Sequence, residues 1–482
     1  MKNKQAIYLL FLSNIISGLA QGISMIAIPW YFIEIVDNAE FFALSYLVIT
    51  IATLFWGIYA GTIIDRYSRK KIFIFTNIVC GLFIGSVAVY GSYHSYLSEF
   101  LVVSVFAITI FNYNIHYPNL YAFGQEITEQ NNYGKLNSYI EVQGQTTSVL
   151  AGAFAAILLT GTTNYNLEVA GFNFVLPFNI EKWQIYDIFL LDACTYLAVI
   201  GIFSFIKYTP INNEKVHMGS LFMRLKLGFN YLIENPRIFI FGLVSYMLFA
   251  FTLVELHVIL PSYVHDFLLA SGNVYASAEI YYSIGAIFSG LLVLRFLKSY
   301  NTYVSVVVLM FLVSLAFFAM TFLKYLWVFF IGSLLLGITN AGVRILRTTY
   351  LFNHIPNNLI GRATSVFSSL NIIVRISLIA LLSLPFFNLD DNIRWGYLIG
   401  VFLMIISSFI LLVLFFKEKK YEVIIANINR NILLQDMEIY SKSLEENGTL
   451  YLSGFYKEDL ELITETCNNL GLTFGENKER NN

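Results

Sequence analysis

Residues 61–71 read GTIIDRYSRKK, and the seven from Asp65 to Lys71 carry five charges. The rest of the chain makes this burst stand out. Of its 482 residues, 57 % are apolar and only 12 % are charged, with 44 Phe and 32 Tyr. Mean hydropathy is +0.67. A globule in water cannot hide that much apolar surface, because part of it must face solvent. Lipid accepts it. The chain therefore reads as an all-α polytopic membrane protein, and residues 61–71 as a loop at the membrane surface. The net charge of −2 gives no sign of a nucleic-acid partner. Cys80, Cys194 and Cys467 lie far apart and match no disulfide or zinc spacing, so no metal and no cofactor is expected.

Outward from that loop, the same pattern repeats. A helix crossing a bilayer needs about 20 mostly apolar residues. Twelve such runs occur, at 6–36, 41–64, 72–94, 98–124, 137–161, 185–207, 237–264, 274–296, 303–322, 325–350, 364–387 and 394–416. The first follows Lys2 and Lys4 but is too long for a cleaved signal peptide, whose apolar core is roughly 7–15 residues. With a cytoplasmic N-terminus, the inner loops hold Arg66, Arg69, Lys70, Lys71, Lys135, Lys207, Lys215, Arg224, Lys226, Arg237, Arg295, Lys298, Arg362, Lys417, Lys419 and Lys420. The outer loops hold only Lys182, Lys324 and Arg394. Basic residues concentrate on the cytoplasmic side of membrane proteins, so both ends are expected there.

The chain also repeats at long range. YGKLNS (133–138) returns 227 residues later as IGRATS (360–365). Two such halves suggest a duplicated transporter. The expected divisions are an N-terminal six-helix half (1–208), a linker with an amphipathic surface helix (209–236), a C-terminal six-helix half (237–420) and a soluble segment (421–482). Sixteen charges fall in that last segment, and YEVIIANI and GTLYLSGF read as strands between helices, hence a small α/β piece.

Polar residues inside the apolar runs need reasons, since an ionised one at the bilayer centre costs about 2.5–3.5 kcal/mol on insertion scales. Asn14, Ser17, Gln21 and Ser24 share one face of span one. Asn112, His116 and Asn119 share one face of span four. Span five carries Glu141 and Gln145, span seven Glu255, span ten Asn340, Arg344 and Arg347, span eleven Ser368, Asn371 and Arg375. Such side chains either line a polar pathway or bond helix to helix. Glu255 and Arg375 both fall near mid-membrane. They could pair, either as a structural bridge or as a pair that opens when Glu255 takes a proton. Arg347 reads as an inner-surface charge, Asp192 as a residue of an outer span, and His257 as a packing residue.

The opening stretch resembles the signature loop of the major facilitator superfamily, Gly-x-x-x-Asp-Arg-x-Gly-Arg-Lys, through Gly61, Asp65, Arg66, Arg69 and Lys70; Ser68 stands in place of the later Gly. The resemblance covers all twelve spans. It implies two six-helix halves that rock about a cavity lined by spans one, four, seven and ten. It also implies a conformational latch, in which Gly61 lets span two approach span eleven and Asp65 meets the N-terminus of span eleven. The implied function is secondary active transport of a small organic solute by a bacterial inner-membrane protein, working alone as a monomer. Finer motifs, NIHYPNLYA (114–122), LDACTYLAVI (191–200) and IPNNLIGRATSVF (355–367), are similar to the macrolide-efflux and enterobactin-export branch. That branch implies proton-coupled efflux of a drug-like or siderophore-like molecule. Residues 421–474 resemble instead the C-terminal part of ribosomal protein L11 methyltransferase, with ANINRNIL and LYLSGF as the closest stretches. The Gly-rich loop that binds S-adenosylmethionine in that family is missing upstream, so the chain is not expected to be an enzyme. A membrane-tethered methyltransferase-like protein and a sensor or scaffold on a transporter fold are the rival readings.

Overall fold

The computed structural model describes residues 4–129, 132–162, 164–207, 221–293, 301–418 and 420–478. Within these, the side chains of 58, 61, 62, 65, 66, 133–135, 137, 138, 221–224, 292, 293, 357, 358, 417 and 418 lie outside the description. The chain divides into two compact units, 1–410 and 411–482.

The first unit is helical. Its N-terminal half contains α1 (Lys4–Glu34), α2 (Ala39–Arg66), α3 (Arg69–His94), α4 (Glu99–Glu126), α5 (Tyr133–Thr160) and α6 (Ile185–Ser204). The linker helix is α7 (Leu221–Glu234). The C-terminal half contains α8 (Pro236–Phe267), α9 (Gly272–Phe288), α10 (Thr302–Phe322), α11 (Leu326–His354), α12 (Asn357–Leu382) and α13 (Trp395–Glu418). Eleven described helices are long and apolar enough to cross a membrane. The expected run 274–296 is α9 and its π-helical continuation Ser289–Val293; its end lies outside the described residues. Helix α8 also widens into π-helical turns at Glu255–Ile259 and Tyr263–Phe267, on either side of Pro261.

The charged stretch that opened the reading makes the corner between α2 and α3. A Ser replaces the family's Gly there without strain: Ser68 has φ −66° and ψ 136°, ordinary extended backbone. Its hydroxyl accepts from the Lys71 N–H and so caps α3, which Gly could not do. Helix ends α1-start, α2-end, α3-start, α4-end and α5-start share one side of the bundle, here called the terminus face; the opposite side is the far face.

Close helix contacts rest on small residues, as membrane bundles favour. Helices α9 and α11 cross where a Cβ on Gly337 would fall on the Tyr282 carbonyl oxygen, and one on Gly285 would fall on that of Leu334. The halves touch through α5 with α9 and α2 with α12. At the far face they are tied together. Trp30 at the end of α1 stacks on Tyr275, ring centroids 5.3 Å apart, and meets His265 edge-on at 5.9 Å.

One element escapes the apolar pattern. Between α5 and α6 the chain makes an antiparallel hairpin, β1 (Asn166–Val169) and β2 (Phe172–Val175), with Ala170 and Gly171 at its tip in positive φ. The tip reaches the other half. The Ser277 hydroxyl accepts from the Ala170 N–H at 2.9 Å, and the Tyr281 hydroxyl donates to the Ala170 carbonyl at 2.8 Å.

The second unit holds β3 (Tyr421–Asn427), α14 (Arg430–Ser443), β4 (Leu444–Ser453) and α15 (Leu460–Asn469). The strands pair in parallel, Val423 opposite Thr449 through Asn427 opposite Ser453. Ala426, Leu433, Met437 and Ile463 form its core.

Candidate transport pathway

A polar layer crosses the first unit at one depth. Asn14 and Gln143 each stand ten residues from the start of their helices, His116 and Arg344 ten from the end of theirs. At 1.5 Å per residue all four lie about 15 Å inside the terminus face. Within the N-terminal half they form a chain of bonds. The Asn14 Nδ2 donates to Gln143 Oε1 at 2.7 Å, the His116 Nε2 lies 2.8 Å from Asn14 Oδ1, and Gln143 Nε2 donates to Thr147 Oγ1 at 3.2 Å. Gln143 also borders a pocket of about 510 Å³ between α1 and α5, walled by Tyr8, Phe11 and Tyr139. An apolar cavity with a few convergent polar groups is the usual form of a small-molecule site.

The same layer joins the two halves. Arg344 of α11 donates to Glu141 Oε1 of α5, and Gln145 Nε2 supports that carboxylate at 3.3 Å. Both charged side chains keep about two-fifths of their surface open, 39 % and 41 %. Tyr113, Tyr117 and Tyr121, four residues apart on α4, lie within electrostatic reach of Glu141. Asn340 Nδ2 donates to the Tyr282 hydroxyl of α9 at 2.7 Å. Glu141 and Arg344 were legible as membrane charges, but not as partners, because nothing in a sequence aligns span five with span ten.

Two expectations fail. Glu255 and Arg375 do not pair. Glu255 is buried on α8 and accepts from the Tyr397 hydroxyl of α13 at 2.9 Å. Arg375 instead reaches across to the N-terminal half, donating to the Tyr46 hydroxyl of α2 at 2.7 Å. Depth alone put the two together, and their helix faces differ. Nor is Arg347 a surface charge. It is 4 % exposed, lies 3.6 Å above the Tyr246 ring and donates to the Ser245 carbonyl at 3.0 Å. That aromatic face and carbonyl let a cation sit inside the bundle.

Other polar residues hold helices together. Asn119 Nδ2 donates to the Arg69 carbonyl at 3.0 Å, and Asn112 Nδ2 to the Tyr196 hydroxyl at 3.4 Å. His257 bonds the Leu253 carbonyl through Nδ1 at 3.0 Å and packs on Tyr46 and Phe106, as expected of a packing residue. Gln21 is half-buried on α1. Of the signature-loop residues, Arg69 lies 3.5 Å from Glu126 at the end of α4, and Lys70 donates to the Ile206 carbonyl after α6 at 2.8 Å. Gly61 lies within α2, and its surroundings and the side chains of Asp65 and Arg66 lie outside the description.

Residues 10–378 match the family model of the Major Facilitator Superfamily. The chain belongs to the Major Facilitator Superfamily. It is a multi-pass membrane protein, and transporters of this superfamily share its fold. The nucleoside transporter NupG superposes with a TM-score of 0.62 at 14 % identity, over 85 % of this chain and 99 % of its own. A bacterial homologue of the iron transporter ferroportin, solved in an inward-facing state, gives 0.62 at 14 %, over 86 % and 99 %. A D-xylose–proton symporter gives 0.58 at 11 %, over 85 % and 97 %.

The tail of this superfamily member is similar to a different family. It is 56 % identical over 62 residues to ribosomal protein L11 methyltransferase of Porphyromonas gingivalis, and 48 % over 61 to that of Bacteroides thetaiotaomicron. These matches cover 13 % of this chain, and the chain spans only about a fifth of the methyltransferases, 21 % and 22 %. Among the described residues, the tail's two parallel strands and two helices make no crevice between opposed halves of a sheet, where such folds bind their cofactor. Asn427 bonds Ser453 Oγ on the neighbouring strand at 3.1 Å, and burial raises the Cys467 thiol above its ordinary value, which disfavours the reactive thiolate. Ending the chain after Lys420 is therefore expected to leave membrane insertion and transport unchanged. S-adenosylmethionine binding by the full chain, lost on that truncation in calorimetry, would overturn this.

Proposed function

We propose that this chain is a secondary active transporter that moves a small organic solute by rocking its two halves about the polar layer. The observation that carries the reading is the Glu141–Arg344 bridge. It is the ionic contact expected of a pathway shared by both halves, and it lies open beside a chain of uncharged donors and acceptors. The terminus face is assigned to the cytoplasm from the Lys and Arg distribution, and the membrane to a bacterial inner membrane. The branch-like motifs NIHYPNLYA and LDACTYLAVI support export of a drug-like or siderophore-like molecule; the signature loop supports Asp65 as latch, and the working unit is taken to be a monomer. Proton coupling is assigned to Glu255, whose described partner is a hydroxyl rather than a guanidinium.

The test uses the far-face tie. Cysteines replacing Ala170 and Ser277, where the Ala170 backbone nitrogen is 2.9 Å from the Ser277 hydroxyl, should form a disulfide that locks the halves together there. In everted vesicles, uptake of a macrolide or catecholate substrate found by sensitivity screening should stop on oxidation and return on reduction. A protonophore should also stop it. Full transport by the crosslinked protein would sink alternating access at this face, and indifference to protonophore would remove proton coupling.

A further inference from the structure

Arg375 carries a positive charge between the halves, and no described carboxylate meets it. It stands eighteen residues into α12, about 27 Å from the terminus face and about 12 Å beyond the polar layer. Its described bond crosses the halves, Nη2 donating to the Tyr46 hydroxyl of α2. Its Nε is buried and has no partner. None of the described ion pairs includes it. His257 lies within electrostatic reach and brings positive charge or none. Glu255, two residues from His257, faces Tyr397 instead.

From this contact the two helices diverge towards the terminus face. Gly57 lies about three turns along α2 on the face of Tyr46, and Gly361 about four turns back along α12 on the face of Arg375. A Cβ at either would meet nothing within 4 Å. Ser368, on the same face of α12 and nearer Arg375, is exposed. This is not the lipid side of α12. Ile373 and Ser377, each two residues from Arg375, point the opposite way and are exposed there. Arg375 therefore ends a blind cleft between the halves. Tyr46, 1 % exposed, seals it beyond, with its hydroxyl 3.4 Å from the Leu253 carbonyl.

A guanidinium inside a membrane is costly without a counter-charge. The Tyr46 hydroxyl gives it an oxygen but no charge. An oxyanion gives both, and the planar edge of a guanidinium takes two of its oxygens at once. We propose that Arg375 binds the anionic group of the transported solute, a carboxylate or phosphate, in place of the Tyr46 hydroxyl. The inference rests on the transport reading and narrows its solute to anions. It also gives the solute a grip on the halves, because the bond it displaces is one that joins α2 to α12.

The test measures binding apart from transport. Thermal unfolding of the full chain in mild detergent is followed by size exclusion of a fluorescent fusion, while sodium benzoate or sodium phosphate replaces sodium chloride at constant ionic strength. Benzamide is the neutral control. The midpoint should rise and saturate with benzoate if the group is a carboxylate, with phosphate if it is a phosphate, and not with benzamide. At 100 times the dissociation constant, the folded state should gain about 100-fold over the unfolded state. Arg375→Gln should abolish the effect. Tyr46→Phe removes the competing oxygen, so half-saturation should move several-fold to lower anion, which a merely structural contact would not produce. A midpoint indifferent to both anions, or equally raised by benzamide, would overturn the proposal. So would an anion effect that survives Arg375→Gln, or one lost in Arg344→Gln alone, which belongs to the polar layer. If Arg375→Gln does not fold, an unchanged half-saturation in Tyr46→Phe overturns it instead. None of these results bears on the crosslinking test of rocking halves, so the two readings fail separately.

Discussion

Gly337→Val should remove most of the folded protein. Where α9 and α11 cross, a Cβ at 337 would land on the Tyr282 carbonyl oxygen, with the Tyr282 Cα 3.0 Å away. Backbone cannot swing aside as a side chain can. Overpacking a core costs about 1–3 kcal/mol where neighbours yield, and more where they do not. Net stabilities are only about 5–15 kcal/mol, so separating two whole helices takes a large share. The measurement is the size-exclusion profile of a fluorescent fusion in mild detergent. The monodisperse peak should fall several-fold for Gly337→Val. Gly201→Val should match wild type, because nothing lies within 4 Å of a Cβ there. A normal peak for Gly337→Val would mean that the crossing is looser than described.

The contrast between these two glycines explains what the sequence could reveal. Spans were legible because a bilayer demands length and hydrophobicity, which are local properties. Helix boundaries came within a few residues at α1 and α10, and were poorest at α12, expected at 364–387 and found at Asn357–Leu382. There the polar first turn, NNLIGRATS, hides a helix end from a hydropathy reading. The hairpin Asn166–Val175 was invisible for a related reason: its fit depends on Ser277 and Tyr281, more than a hundred residues away. Which glycine marks a helix crossing depends in the same way on a distant helix.

The candidate site divides along the same line. Stripe logic placed Asn14 and His116 on inward faces, and they meet. It placed Asn112, His116 and Asn119 together, yet they serve three different partners, because a face about 100° wide touches more than one neighbouring helix. Pairing by depth failed for Glu255 and Arg375, since depth fixes one coordinate of three.

Neutralising either member of the Glu141–Arg344 pair should cut transport about 5–150-fold while leaving the protein in the membrane. The reasoning starts from exposure. A fully buried pair loses about 3–5 kcal/mol when one partner goes, and an exposed pair 0–1. These side chains are about two-fifths open, so a value of ~1–3 kcal/mol is appropriate, which corresponds to that range of rate or affinity. Glu141→Gln leaves the Arg344 guanidinium in the pathway without a counter-charge; Arg344→Gln leaves the carboxylate with only the Gln145 amide. The double exchange Glu141→Arg with Arg344→Glu restores a neutral pair across the same two helices. If the bridge works by joining the halves, the exchange should recover a substantial part of transport. If either residue instead binds substrate by its own charge, the exchange should be as inactive as the single variants. Initial rates in vesicles, normalised to membrane-inserted protein, separate these cases. Single variants that transport at wild-type rate would show that the bridge is incidental to the cycle and that the pathway runs elsewhere.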